Sequence, residues 1–294
     1  MAVSGPARWL VLGGGGMLGR DLCARLGAEP GLTFDAPPRS EVDLADEGAV
    51  TRAVAGGDVV VNAAAWTDVD GAEADPDRAM ALNGDAVAAL AAACRVAGAR
   101  LLHLSTDYVF AGDGSSPYPE DAPTAPLNAY GRSKLRGEEA VRDIDGYVIR
   151  TAWLYGAHGK NFVATMLRLA RERDTVNVVD DQLGQPTWTR ALADQLLALG
   201  RAALLGSAAP GVYHGTASGE TTWYGFARAV FEESGLDPDR VHPTTSDAYV
   251  RPAKRPAYSV LGHDAWVMAG LAAQPHWRDQ IAAALRTPEF RAMS

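Results

Sequence analysis

Two residues in the stretch LNAYGRSKLRGEEA (127–140) have the types and the spacing to move a proton. Tyr130 stands four places before Lys134, one of only three lysines in the chain. On a helix that spacing puts both side chains on one face, one turn apart. A phenol with a reference pKa of about 10 is a poor acid near neutrality. An ammonium beside it favours the phenolate and brings the pKa towards the working range. Such a pair suits protonation of the alkoxide that forms when a carbonyl accepts a hydride. Asn128 is placed to cap the helix and hold both side chains in register. Ser105 and Thr106 close the strand-like run RLLHLST (100–106), where a hydroxyl can polarise a carbonyl oxygen. Tyr-x-x-x-Lys alone is a weak sign, because an ordinary amphipathic helix can carry it.

A hydride must come from a bound carrier. Gly13, Gly16 and Gly19 form G-x-x-G-x-x-G where the apolar run RWLVLG (8–13) meets the helical pattern MLGRDLCARLG (17–27). Glycines let the backbone turn tightly and approach a pyrophosphate, whose charge meets the free N–H groups at a helix start. Met17 and Leu18 lie in that same turn. The second strand, LTFDA (32–36), carries Asp35, which would hold ribose hydroxyls and favour NAD. Arg39, just past it, would hold a 2′-phosphate and favour NADP. Arg39 reads equally as solvated loop charge. The place of Asp35 inside the strand tips the expectation to NADPH, with NADH as the alternative.

Those groups need a frame. Apolar strands are expected at 8–13, 32–36, 58–66, 100–106 and 147–153, with helices between them, one of them running from Asp75 to Ala99. Continuous apolar strands alternating with helices predict an α/β, Rossmann-type doubly wound parallel sheet covered on both faces. After Tyr155 the alternation loosens, and GVYHGTA (211–217) is expected to return to the sheet. Residues 1–152 and 186–218 are read as the NADP-binding domain. Residues 153–185 and 219–294, with TTWYGFARAVFEESG and YVRPAKRPAYSV, are read as a smaller, mainly C-terminal substrate-binding lobe.

Composition removes several classes. A net charge of −9 argues against nucleic-acid or anionic-membrane partners, which need clustered positive charge. No apolar run is expected to approach a membrane-spanning length, and Met1–Trp9 lacks the apolar core of a leader, so a cytoplasmic protein is expected. Cys23 and Cys94 are isolated in helical patterns and expected as buried free thiols. The six histidines show no ligand spacing, so no metal site is expected.

The chain resembles the extended short-chain dehydrogenase/reductases, and within them the dTDP-4-dehydrorhamnose reductase family. The resemblance lies in GGGGMLG, RSEVDL (39–44), VVNAAAWTDVDGAE (60–73), LSTDYVF (104–110), PLNAYGRSKLRGE (126–138), RTAWLYG (150–156), NFVATMLRLA (161–170), DQLGQPT (181–187) and PAKRP (252–256). It implies an NADPH-dependent reductase of the C4 ketone of a dTDP-4-keto-6-deoxyhexose. Tyr130 is then the proton donor, Lys134 the ligand of the nicotinamide ribose that also tunes Tyr130, and Thr106 the carbonyl-polarising hydroxyl. Asp43 and Leu44 would lie near adenine, with Ala63, Ala64 and Ala65 along the cofactor. Tyr108 and Trp153 would face the sugar, and Arg255 would grip the diphosphate, although Trp153 also reads as core packing. Trp66 and Asn83-Gly84 depart from the residues expected beside cofactor and substrate. A dTDP-sugar is the implied partner; a homodimer is compatible, and the oligomeric state stays open. The alternatives on the same scaffold are a sugar-nucleotide epimerase or dehydratase, and a non-catalytic NADP-binding subunit like the regulatory one of methionine adenosyltransferase.

Overall fold

Short runs of valine, leucine and isoleucine make the frame in the computed structural model, which describes residues 6–293. Of the Met1–Trp9 stretch read for a leader, residues 1–5 lie outside the described residues. The first half runs β1 (Ala7–Leu12), α1 (Met17–Gly27), β2 (Leu32–Asp35), α2 (Glu47–Val54), β3 (Val59–Asn62), α3 (Val69–Ala74), α4 (Pro76–Met80), α5 (Ala86–Ala97), β4 (Arg100–Thr106), α6 (Ala129–Arg142) and β5 (Tyr147–Thr151). The second half runs β6 (Leu154–Tyr155), α7 (Phe162–Glu172), β7 (Val176–Val179), β8 (Leu183–Gly184), β9 (Thr187–Trp188), α8 (Thr189–Leu205), β10 (Gly211–His214), β11 (Thr221–Thr222), α9 (Trp223–Glu233), β12 (Val241–Thr244), α10 (Asp264–Met268), α11 (Trp277–Leu285) and α12 (Pro288–Arg291).

Six strands pair in the order β10-β5-β4-β3-β1-β2, every neighbouring pair parallel. The Gly211–His214 segment does return to this sheet, beside β5. Alternation along β1 sends Trp9 and Val11 to the layer built with α1 and α8, and Leu10 and Leu12 to the layer of α2, α5 and α6. β2 lies on one side of β1 and β3 on the other, so strand order reverses at β1 and opens a crevice at the carboxyl ends of β1 and β3.

A third apolar cluster, with Tyr155, Val163, Phe226, Val230, Trp277 and Ile281, forms the lobe. Trp266 on α10 lies instead in the sheet layer of Trp9, although residues 219–294 are read from sequence as lobe. Three expectations need correction. β3 ends at Asn62, so Ala63–Trp66 are loop rather than strand. The helix read from Asp75 to Ala99 is interrupted by a π turn at Ala81–Asp85. The continuous helical stretch Pro76–Ala97 is, by length and composition, apolar enough to cross a membrane, contrary to the expectation that no run approaches that length. Its Val87, Leu90, Ala91 and Cys94 are buried against the sheet, as in a core helix.

Candidate active site

The crevice is built by close backbone approach. Gly13 has φ +82°, and a Cβ there would stand 2.6 Å from Ala64 N; only glycine lets the β1–α1 turn pass over the loop after β3. A Cβ on Gly19 would collide with Gly13 O, so Gly19 serves the packing of helix on turn. α1 starts at Gly16 with no side-chain cap and no acidic residue in its first turn. Side chains cap α2, α3, α4, α6 and α7. The free N–H groups of α1 and its positive dipole end therefore face the crevice, a match for a phosphate.

A cleft of about 470 Å³ opens there, lined by Gly13, Gly16, Ala63, Ala64 and Ala65, and beyond them by Arg39, Asp43 and Leu44. Eight of the expected cofactor residues are thus brought together. Leu18 points its side chain into the core, so only its backbone is left to face a ligand, and the partly buried Met17 packs beside Gly156. Asp35 pairs with Arg8 at 2.9 Å and does not line the cleft. Arg39 does, its Nε and Nη2 each donating to Asp43 Oδ2 at 3.1 Å. Asp43 is held below the usual carboxylate range, chiefly by the Ala45 N–H and then by Arg39. The glycine turn and the uncapped start of α1 fit the pyrophosphate of a dinucleotide.

The expected acid lies on α6, capped as predicted: Asn128 Oδ1 accepts from Gly131 N–H at 2.8 Å. Tyr130 is half-buried. It shares a small apolar cluster with Trp66, which lines the cleft, and packs edge-on against Tyr108 with ring centroids 5.9 Å apart. Burial first, and then the charge of Asp107, push its phenol above the ordinary range, against a hydrogen bond with Thr106. This direction is opposite to the expected tuning by Lys134. The Lys134 amine, 2% exposed, lies 3.2 Å from His103 Nε2, and burial lowers it to about 8 against the pull of Glu138. Ser105 is not available to a substrate, since its hydroxyl donates at 2.5 Å to Glu138, which is locked to Arg150 at 2.7 Å. Thr106 donates to Asp107 Oδ1 at 3.0 Å.

Tyr108 opens on a second cleft, of about 770 Å³, on the lobe side, lined also by Phe162, Trp223, Arg251 and Arg255. Arg255 is not a free cation there. It forks Asp70, with Nη1–Oδ1 at 2.5 Å and Nη2–Oδ2 at 2.9 Å. Trp153, unlike Arg255, does not line this cleft; at φ +48° it stacks on Trp223, 3.6 Å between centroids, and covers Gly184. DQLGQPT proves to be a fastening: Gln185 Oε1 accepts from Thr216 Oγ1 at 2.9 Å and Leu261 N–H at 2.8 Å. Arg78, over the Trp66 ring at 5.0 Å and lining the first cleft, has no motif in the sequence to announce it. Asp107 and Asp70 lie inside LSTDYVF and VVNAAAWTDVDGAE, and His103 inside RLLHLST, but no spacing there singles them out. Among the described residues, no group of three or more His, Cys, Asp or Glu could hold a metal ion.

Topology and crevice together define the class, a Rossmann-type reductase fold. A family model described as the RmlD substrate binding domain matches residues 7–289. The chain belongs to that family, the dTDP-4-dehydrorhamnose reductases. It is 55% identical to the dTDP-4-dehydrorhamnose reductase of Streptomyces griseus over 276 residues, 92% of this chain and 90% of the relative. It is 51% identical to a dTDP-4-keto-6-deoxy-D-glucose reductase of Streptomyces niveus, over 92% of this chain and 93% of the relative. The crystal structure of a Bacillus anthracis dTDP-4-dehydrorhamnose reductase in complex with NADP superposes with a TM-score of 0.89 at 31% identity, covering 95% of this chain and 98% of that one.

Proposed function

We propose that this protein reduces the C4 ketone of a dTDP-4-keto-6-deoxyhexose, converting dTDP-4-dehydro-L-rhamnose to dTDP-L-rhamnose or carrying out a close stereochemical variant of that step. The Streptomyces relatives support it: their names differ in the sugar and agree in a dTDP-linked 4-keto substrate. Residues 1–152 and 186–218 hold the cofactor, and 153–185 with 219–294 supply most of the sugar-nucleotide lobe. NADPH, when bound, supplies the hydride. Gly13, Gly16 and the first turn of α1 receive its pyrophosphate, and Arg39 its 2′-phosphate in preference to the unphosphorylated ribose of NADH. Tyr130 delivers the proton to the C4 oxygen, Thr106 polarises that oxygen, and Lys134 holds the nicotinamide ribose. Tyr108 and Arg255 face the sugar nucleotide, and Trp153 backs Trp223. A cytoplasmic location goes with this activity.

The observation that carries the proposal is the seat of Tyr130, against the buried alanines on which Trp66 of one cleft also packs, and edge-on to Tyr108 of the other. A proton donor for a ketone reduced across that boundary belongs there. Purified protein should oxidise NADPH on addition of a dTDP-4-keto-6-deoxyhexose, faster than it oxidises NADH, with product stereochemistry read by NMR. Tyr130→Phe should lower kcat by roughly a hundredfold or more and leave NADPH binding intact. Near-normal NADPH oxidation by that variant would remove Tyr130 from the mechanism.

A further inference from the structure

Behind Tyr130 a line of hydrogen bonds runs from Lys134 into the sheet, and one backbone group sets its polarity. Ala64 N–H donates to Asn62 Oδ1 at 3.1 Å. That contact fixes the amide, so Asn62 presents Nδ2 to His103 Nδ1 at 3.0 Å. An amide NH₂ has only hydrogens to offer, so His103 Nδ1 must accept. A neutral imidazole then carries its proton on Nε2, the nitrogen 3.2 Å from Lys134 Nζ. Every hydrogen on an ammonium is also a donor. Only the uncharged amine has the lone pair that completes the line. A doubly protonated ring offers no way round this: it would set Nδ1–H against the Asn62 amide, and burial keeps His103 well below its ordinary range.

We propose that His103 is a positioning residue for the reaction: its Nε2–H retains Lys134 while the amine is neutral and gives up that hold when the amine gains a proton. The proposal rests on Lys134 belonging to the reductase site. The exchange is a simple protonation, in which the Nζ lone pair bonded by His103 becomes an N–H bond to a proton from solvent, while His103 keeps its own hydrogen. The new ammonium then meets a donor where it needs an acceptor, and the contact with the ring is lost.

The groups around the amine fit such an exchange. His103 faces it from β4, and Tyr130 precedes it by one turn on α6. Glu138, one turn further on, favours the charged form, but Arg150 from β5 holds that carboxylate at 2.7 Å and Ser105 donates to it. The charge of Asp107, in the turn after β4, bears on Tyr130. Burial is left as the largest influence, and it moves Lys134 to about 8, so retention is the state above that pH and release the state below it.

With three lysines in the chain, lysine labelled with ¹³C and ¹⁵N gives three side-chain signals in the full-length protein alone. The Lys134 signal is identified by its loss in Lys134→Met. Its midpoint should fall near 8, and ¹⁵N-histidine spectra above that pH should show His103 as the Nε2–H tautomer. Asn62→Asp replaces the donating NH₂ by an acceptor. His103 should then move its proton to Nδ1 and accept from a permanent ammonium, with the Lys134 midpoint raised by roughly one pH unit or more. The wild-type ring found as the Nδ1–H tautomer, or a Lys134 midpoint unmoved by Asn62→Asp, overturns the proposal. Should that variant not fold, the wild-type tautomer decides by itself. Because no cofactor or sugar is present, a failure of the reductase assignment would leave these spectra unchanged, and the two ideas fall separately.

Discussion

Asp107 stands between two expected site residues, 3% exposed, with no hydrogen-bond partner of ordinary geometry at Oδ2. Burial lifts its carboxyl to about 6, and nearby Ser259 and Thr106 offset that only in part. The unfolded chain has an aspartate near 3.9. Between those values the folded protein binds a proton that the unfolded chain does not, so stability declines as pH rises through the interval. Two pH units correspond to about 2–3 kcal/mol. Asp107→Asn keeps an acceptor for the Thr106 hydroxyl and removes the charge. It should therefore raise the melting temperature by roughly 5 °C at pH 8 and by little at pH 4.5, as scanning calorimetry can measure. An equal gain at both values would mean that the carboxylate is not the source. The same charge raises the Tyr130 phenol, which ties the cost in stability to the proposed acid.

At the scale of elements, the π turn Ala81–Asp85 ties the loop after β3 to α6. One extra residue in the turn alters the direction of the side chains it carries, and Asn83 here reaches back to the loop after β3. Asn83 Oδ1 accepts from Trp66 N–H at 2.9 Å, while Nδ2 donates to Trp66 O at 3.0 Å and Ser133 Oγ at 3.1 Å. Asn83→Ala leaves both Trp66 backbone groups without these partners. The expected loss is about 2–4 kcal/mol in urea unfolding, accompanied by weaker NADPH binding through the displaced Ala63–Trp66 loop; unchanged unfolding would show that water replaces the side chain. None of this geometry is legible in LNGD, because a π turn depends on which carbonyl an N–H meets and not on apolar spacing. Strand 100–106 was legible to the residue, being short, apolar and bounded. The third strand was overrun from Asn62 to Trp66 because Ala63–Ala65 are apolar too; what ends it is the need of Gly13 to pass across Ala64. The glycine loop and the Tyr130 helix could be read because local spacing dictates them. The placements of Ser105 and Trp153 could not, since their partners Glu138 and Trp223 are set by tertiary packing.

For the whole molecule, the clasp that ties the sheet half to the carboxyl-terminal segment is Asp70, 185 residues from Arg255. Its carboxylate accepts hydrogen bonds from Nη1 and Nη2 of Arg255 and from the Ala253 N–H at 3.1 Å, and Arg251 stands 3.7 Å away. These contacts hold Asp70 below its ordinary range, with the Arg255 hydrogen bond the largest cause. A depressed carboxyl contributes stability that is complete above its unfolded value near 4 and is lost as pH falls through the lower folded value. Because both partners are mostly but not wholly buried, Asp70→Asn should cost no more than about 1–2 kcal/mol overall. Its effect should instead be local. Segment 251–255 lines the second cleft, so the Ala253 amide should exchange faster with deuterium, and KM for the sugar nucleotide should rise several-fold while KM for NADPH holds. If both KM values rose together, Asp70 would be supporting the sheet half as a whole rather than setting the position of the lobe segment over the sugar.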